Sequence, residues 1–569
     1  MTPLPTLSAS ALGALLLALT ACASPGPRAP VDEQVGAIRP SRALAIAVRV
    51  EPGTLTTRPL GQPGAGLTMA RTLFNAQLGQ TDDRGNFRPY LVESLPQLDT
   101  DSWRLFPDGR METTYRLKPG LVWHDGVRLT SGDLVFSWQV YATREFGLSG
   151  ASPFHSIEEV VGADDRTFVV RWSRPYAAAG DLSATNDELY PLPRHLLEQD
   201  SQELSAEAFG RHAYWTYEFV GLGPFRLDRW EPGTHLEGAA FDGYVLGRPR
   251  IDRVRLMFIS DPNTTLANLL AGEIHIATDN TLGLQHMESL KHGWDGQVAV
   301  TVGGSWRMTF FQLRPELATP RALLDLRVRQ ALASAVDRQG INDVVGAGEL
   351  VLANSMMLPA EELGPASERG AVRYPYDLRR TEQLMAELGF AKGGDGVYVG
   401  PEGRFSTSLR TNFSADFERE ISIMADGWRK AGFDVDETVI PAAQAQDAQL
   451  GATFPGTLIR TSFSGLTTLA RFTTEGIPRA ENRWTGVNGV AGQTPKYDQV
   501  VDRLNGTLEA AGREQQVERL VRIFTSELPI IPLYFLSNPF PYARALSGPQ
   551  QVPPGGNLLW NIHEWELPA

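Results

Sequence analysis

Chemistry in this chain would have to come from few residues. There is one cysteine, Cys22, so neither an intramolecular disulfide nor a Cys-rich zinc or iron–sulfur site can form. The nine histidines are scattered. His286 and His292 stand six apart and fall on different faces of a helix. The pair His124-Asp125 in Trp123-His124-Asp125-Gly126 invites an acid–base reading. Neighbours on a strand point to opposite faces, however, and Asp-Gly favours a turn with a positive φ at the glycine. Gly221 and Gly223 flank Leu222 before Pro224 without a following Lys-Ser/Thr, so they are no phosphate loop. The G-x-S-x-G, H-E-x-x-H and G-x-G-x-x-G-plus-acid patterns are absent. Carboxylates are plentiful, but none stands out as half of a glycosidase pair. These residues predict no enzyme, no metal site and no cofactor, with a hydrolase as the minor alternative.

The body that positions them is large. At 569 residues, roughly 150 per domain gives three or four folding units. Hydrophobic residues at 42% and charged residues at 21% describe a globular chain, not a disordered one. A formal charge of −14 argues against nucleic-acid binding, which needs a basic face.

The N-terminus reads as an export signal. Leu12 to Ala21 is a ten-residue apolar run, too short to cross a bilayer and suited to an h-region. The preceding residues carry no Lys or Arg, a departure from the usual positive n-region. Leu19-Thr20-Ala21-Cys22 resembles the lipobox of bacterial lipoproteins, which implies lipidation at Cys22 after removal of residues 1–21. Four prolines from Pro25 to Pro40 make residues 22–42 a stiff tether. The alternative is a buried cysteine in an N-terminal helix.

From Ala43 onward strands and helices alternate. Ala43–Val50, Thr113–Leu117, Asp165–Trp172 and Ile251–Phe258 read as strands. Thr130 before an apolar run, and Asp261-Pro262, read as helix starts. Helices are predicted over Leu324–Val336, Leu378–Leu388 and Asp416–Ala431, with Gly389 and Gly432 ending the last two. A last long helix is predicted from Thr494 to Leu528 with a break near Gly512. The mixture indicates α/β lobes.

Several motifs carry a family resemblance in order. They are Phe106-Pro107-Asp108-Gly109, Trp123-His124-Asp125-Gly126 with Leu129 to Ser137, Tyr190 to Leu197, Val220 to Leu227, Leu269 to His275, and Asp325 to Leu332 with Ala335-Val336-Asp337-Arg338. Together they resemble the family-5 extracellular solute-binding proteins, the oligopeptide-, dipeptide- and nickel-binding proteins of bacterial ABC importers. The resemblance implies an α/β, two-lobed type II periplasmic-binding-protein fold with an extra subdomain inserted in the first lobe. Lobe I would take 43–72, 212–303 and 533–569, the inserted subdomain 73–211, and lobe II 304–532. It also implies a monomer that closes on a solute, meets ABC permease subunits and sits outside the cytoplasm. The lipid anchor would hold it in the periplasm or on the outer face of the cytoplasmic membrane.

The family's peptide binders pair the ligand's α-amino group with an acid in a segment resembling R-x-x-W-x-x-D. Here Arg460 and Phe463 match the basic and aromatic places, and Leu466 falls where the acid would be. Another acid, such as Glu475 or Glu481, would have to supply the charge, or the ligand lacks the amine. A peptide is the first expectation. A glycoside, opine-like compound or metallophore is the alternative, as is a ligand-sensing receptor in place of an importer subunit. By this resemblance Arg460, Phe463, Asn482, Trp484 and Trp306 are the candidate ligand contacts, with core packing as the other reading of the aromatics.

Overall fold

The computed structural model describes residues 42–568 except 58–66, 85, 147–152, 181, 183–188, 279–280, 292–293, 414, 442–443, 446, 485, 493 and 553–555. The expected signal peptide, Cys22 and nearly all of the expected tether lie outside the described residues, as does His292.

Eleven strands form the main sheet. They are β1 (Ala43–Val48), β2 (Phe225–Glu231), β3 (His235–Ala240), β4 (Arg253–Phe258), β5 (Ile276–Ala277), β6 (Gly296–Phe311), β7 (Val351–Leu352), β8 (Ser406–Asn412), β9 (Asp434–Ile440), β10 (Thr457–Phe463) and β11 (Ile530–Ala543). The order is β9-β8-β10-β6-β11-β5-β1-β4-β3-β2, with β7 added beside β11. β1 runs parallel to β4 and β5, and β8 runs parallel to β9 and β10. Such pairings need crossover connections, which the helices supply. One is α2 (Pro262–Ala271), capped by Asp261 and closed by Gly272 at φ 75°. Another is α4 (Ala415–Ala431), followed by Gly432 at φ 111°.

Two strands join the halves. β6 and β11 pair antiparallel from Gly296–Ala543 to Phe310–Ile530. Their register slips between Val302 and Trp306, where Gly303 and Gly304 have φ of 90° and 75°. Positive φ at both positions requires glycine. On one side of this slip, a core of Leu44, Ile46, Phe74, Trp123, Trp172, Trp215 and Leu256 also takes in Leu559 and Trp565 from the C-terminal tail. On the other side the alternation of β6 divides two cores. Trp306, Met308 and Phe310 pack with Phe472, Tyr497 and Phe524, while Phe311 packs with Ile459, Met424 and Trp428.

A separate four-stranded sheet, ordered Trp103–Leu105, Met111–Arg116, Thr167–Trp172 and Ile157–Gly162, carries helix α1 (Ser131–Ala142). Thr130 and Asp133 close a capping box at its start. The Trp123-His124-Asp125-Gly126 segment is a turn, with Gly126 at φ 89°. His124 and Asp125 do not pair with each other. His124 Nδ1 accepts from Gly221 N–H, and its other ring nitrogen meets Gly223 O at 3.0 Å. Asp125 accepts from Val127 N–H and pairs with His195 at 2.7 Å. A Cβ on Gly221 would sit 2.1 Å from Phe74 O, so that glycine is there for close packing.

The last helical region differs from expectation. It is two helices, α5 (Pro495–Gly506) and α6 (Ala510–Glu527), and Gly512 lies inside the second. The break falls at Thr507 because the end of α5 docks on the loop that follows the Thr167–Trp172 strand, where Ala177 N–H donates to Asn505 O at 2.8 Å. On α3 (Leu326–Ser334), Arg327 pairs with Asp325 as a surface ion pair, whereas Arg329 is buried and donates to the carbonyls of Leu323, Leu324, Glu527 and Leu528.

Candidate ligand-binding site

The parallel strands β8 and β10 end toward the register slip, where open α/β sheets hold their ligands. Among the described residues, β8 accompanies β10 only at Leu409–Thr457 and Arg410–Leu458, and from Ile459 to Phe463 β10 has a strand neighbour on one side, β6. Two aromatics stand out at this end: Phe413 just after β8 is 61% exposed and Phe463 is 51% exposed. Large apolar side chains left this open at a strand end suit a binding surface better than a core.

Beside them lies an acid that the sequence did not single out. Gly465 N–H donates to Met356 O, and this tie brings the 356–361 loop against the end of β10. Glu361 Oε1 accepts from Leu358 N–H at 3.3 Å, the Ser464 hydroxyl donates to the same carboxylate, and Oε2 faces Gly465. Among the described residues no cation pairs with it. Burial pushes its carboxyl up to about 7, with the two hydrogen bonds opposing only part of that rise. A cationic group placed here would restore the charged form.

The expected contacts fall in different places. Phe463 is at this surface. Arg460 points to the other face of β10, where its guanidinium donates to Gly451 O at 3.4 Å and lies 5.8 Å from the Phe310 ring centre. Burial without an anionic partner lowers its pKa. Trp306 is fully buried in the core. Asn482 braces a turn: its Oδ1 accepts from Arg479 N–H at 2.7 Å and its amide donates to Ile477 O at 2.9 Å. Trp484 lines a cavity of about 1030 Å³ walled only by residues between Leu313 and Pro529. That cavity adjoins the opposite end of β10, six residues or about 20 Å along the strand from Phe463. Among the described residues no group of three His, Cys, Asp or Glu could hold a metal.

Residues 93–473 match the family described as bacterial extracellular solute-binding proteins, family 5. That is two thirds of the chain. The protein belongs to that family. This family-5 protein is 24% identical over 499 residues to the oligopeptide-binding protein AppA of Bacillus subtilis, covering 86% of this chain and 85% of that one. Its fold matches that of NikZ from Campylobacter jejuni, solved with Ni(L-His), at a TM-score of 0.78 and 22% identity, over 93% of this chain and 100% of the other. It also matches the oligopeptide-binding protein of Thermus thermophilus, solved with a pentapeptide, at 0.77 and 22%, over 92% and 96%. The fold is the two-lobed one of these binding proteins. The surface formed by Phe413, Phe463 and Glu361 lies beside the register slip in β6, where Ser305 pairs with Phe463.

Proposed function

We propose that this protein is the substrate-binding component of an ABC importer and captures peptides with a free amino terminus between its lobes, delivering them to a membrane permease. The one-sided stretch of β10 supports this reading most. An extended peptide adds its backbone to an unpartnered strand, and side-chain pockets then supply selectivity. Glu361 takes the ammonium in place of the acid missing at Leu466, and Phe413 and Phe463 cover the first side chains. Closure about Gly303 and Gly304 is driven by contacts that only the closed form makes with the peptide.

In this reading lobe I comprises 43–72, 212–303 and 533–569, the inserted subdomain 73–211 and lobe II 304–532. The mature protein is a monomer outside the cytoplasm, held to a membrane by lipid on Cys22. It performs no catalytic step. The test is calorimetric titration with a series of pentapeptides and their N-acetylated forms. Free-amine peptides should bind and acetylated ones should not. Equal binding of both, or binding of neither, would overturn the assignment. Cys22→Ser should release the protein from membranes; unchanged fractionation would refute the anchor.

A further inference from the structure

The cavity at the far end of β10 has its own polar equipment, and the peptide reading uses none of it. Arg314 stands on its wall, directly after β6. Its Nη1 donates to Gln312 Oε1 and to the carbonyls of Ala452 and Gly489, and its Nη2 donates to Pro478 O. Among the described residues Nε engages no bond, and Nη2 retains a second hydrogen. One edge of a fixed guanidinium is therefore left open. Arg479 lies close enough to oppose the Arg314 charge, and its own Nη2 reaches only Thr474 O. Three carboxylates share the wall, those of Glu316, Glu481 and Glu527, yet none forms an ion pair with either guanidinium.

Asn488 is fully buried in the same wall. Its amide nitrogen donates to the carbonyls of Phe472, Thr473 and Gly492 and ties the wall together. Between these polar groups the wall includes Trp484, Phe472 and Phe524. Its rim is strained, with Arg483, Trp484 and Ala491 at φ of 54°, 62° and 55°.

We infer that this cavity is a second ligand site, separate from the interlobe surface, for a small organic carboxylate with an apolar or aromatic body. The carboxylate takes the open edge of Arg314 with Arg479 beside it. The body lies against Trp484. Arg329 also reaches the wall, so three guanidiniums face three carboxylates, and selection comes from the geometry of the open edge and not from bulk charge.

Indole-3-acetate carries both features and serves as the probe, with indole-3-acetamide as its uncharged partner. Calorimetric titration of the purified protein should show the acid binding at least about tenfold more tightly than the amide. Arg479→Gln, at the exposed rim, should weaken the acid several-fold and leave the amide unchanged, with no loss of melting temperature. Arg314→Gln should weaken it further, but it also removes bonds to Ala452 and Pro478. A crystal soaked with the acid should show its carboxylate at Arg314 Nε, whether or not any peptide binds the interlobe surface. No binding of the acid, equal binding of acid and amide, full retention in Arg479→Gln, or density elsewhere would each overturn the assignment.

Discussion

Replacing Glu361 with glutamine tests the ammonium site directly. The side chain keeps its size and its bond from Leu358 N–H but loses its charge. In the unliganded protein that charge is a burden. Moving the ionisation from the usual 4.5 to about 7 corresponds to about 3 kcal/mol against the charged form. The sign follows from which state ionises first. Below pH 4.5 both folded and unfolded chains hold the proton, and nothing is lost. Between 4.5 and 7 the unfolded chain ionises first, so stability falls as pH rises, and the full cost is present above 7. At about 2.1 cal/mol/K per residue over roughly 490 described residues, that cost lowers Tm by about 3 °C. Scanning calorimetry from pH 4.5 to 8 should therefore show the variant melting about 3 °C above the wild type at pH 8, and level with it at pH 4.5. A free-amine peptide should reverse the order at pH 8, because its ammonium compensates the carboxylate in the wild type alone. An equal gap at both pH values would refute the argument from burial. Undiminished peptide affinity in the variant would refute the ammonium role.

Four further outcomes follow from the geometry. Phe463→Ala should leave Tm unchanged, since the ring is exposed, and should weaken peptide binding by about tenfold in the same titration. Arg307→Met should cost about 3–5 kcal/mol in urea unfolding, because Arg307 and Glu420 pair at 2.6 Å with both side chains fully buried; adding Glu420→Leu should restore most of it. Gly304→Val at φ 75° should cost about 1–2 kcal/mol, and small-angle scattering should show a smaller change on adding peptide. His124 is held neutral by burial, with its pKa pushed down to about 4. Its unfolded form takes a proton first, so stability should fall as pH drops from 6.5 to 4, and His124→Gln should flatten that slope of Tm against pH.

Local features were legible because their causes are local. The strands at Ala43–Val48 and Arg253–Phe258, the caps at Thr130 and Asp261 and the glycine stops at Gly272 and Gly432 all follow from period, capping groups and positive φ. The break before Thr507 was misplaced because its cause is the docking of Asn505 on Ala177, a contact across more than 300 residues. The site shows the same limit more sharply. A linear motif places Arg460, Phe463 and Leu466 in one row, yet a strand sends Arg460 and Phe463 to opposite faces. Asn482 and Trp484 follow on a loop that leads away to the far end of β10. In the proposed site the charge missing at Leu466 comes from a loop about a hundred residues earlier, brought there by one backbone bond, Gly465 N–H to Met356 O. A site needs its charge at a place in space, which a linear motif does not specify. A hydrophobic residue in a motif's acidic place is therefore weak evidence against an amine ligand until the neighbouring loops have been inspected for a buried carboxylate without a cation.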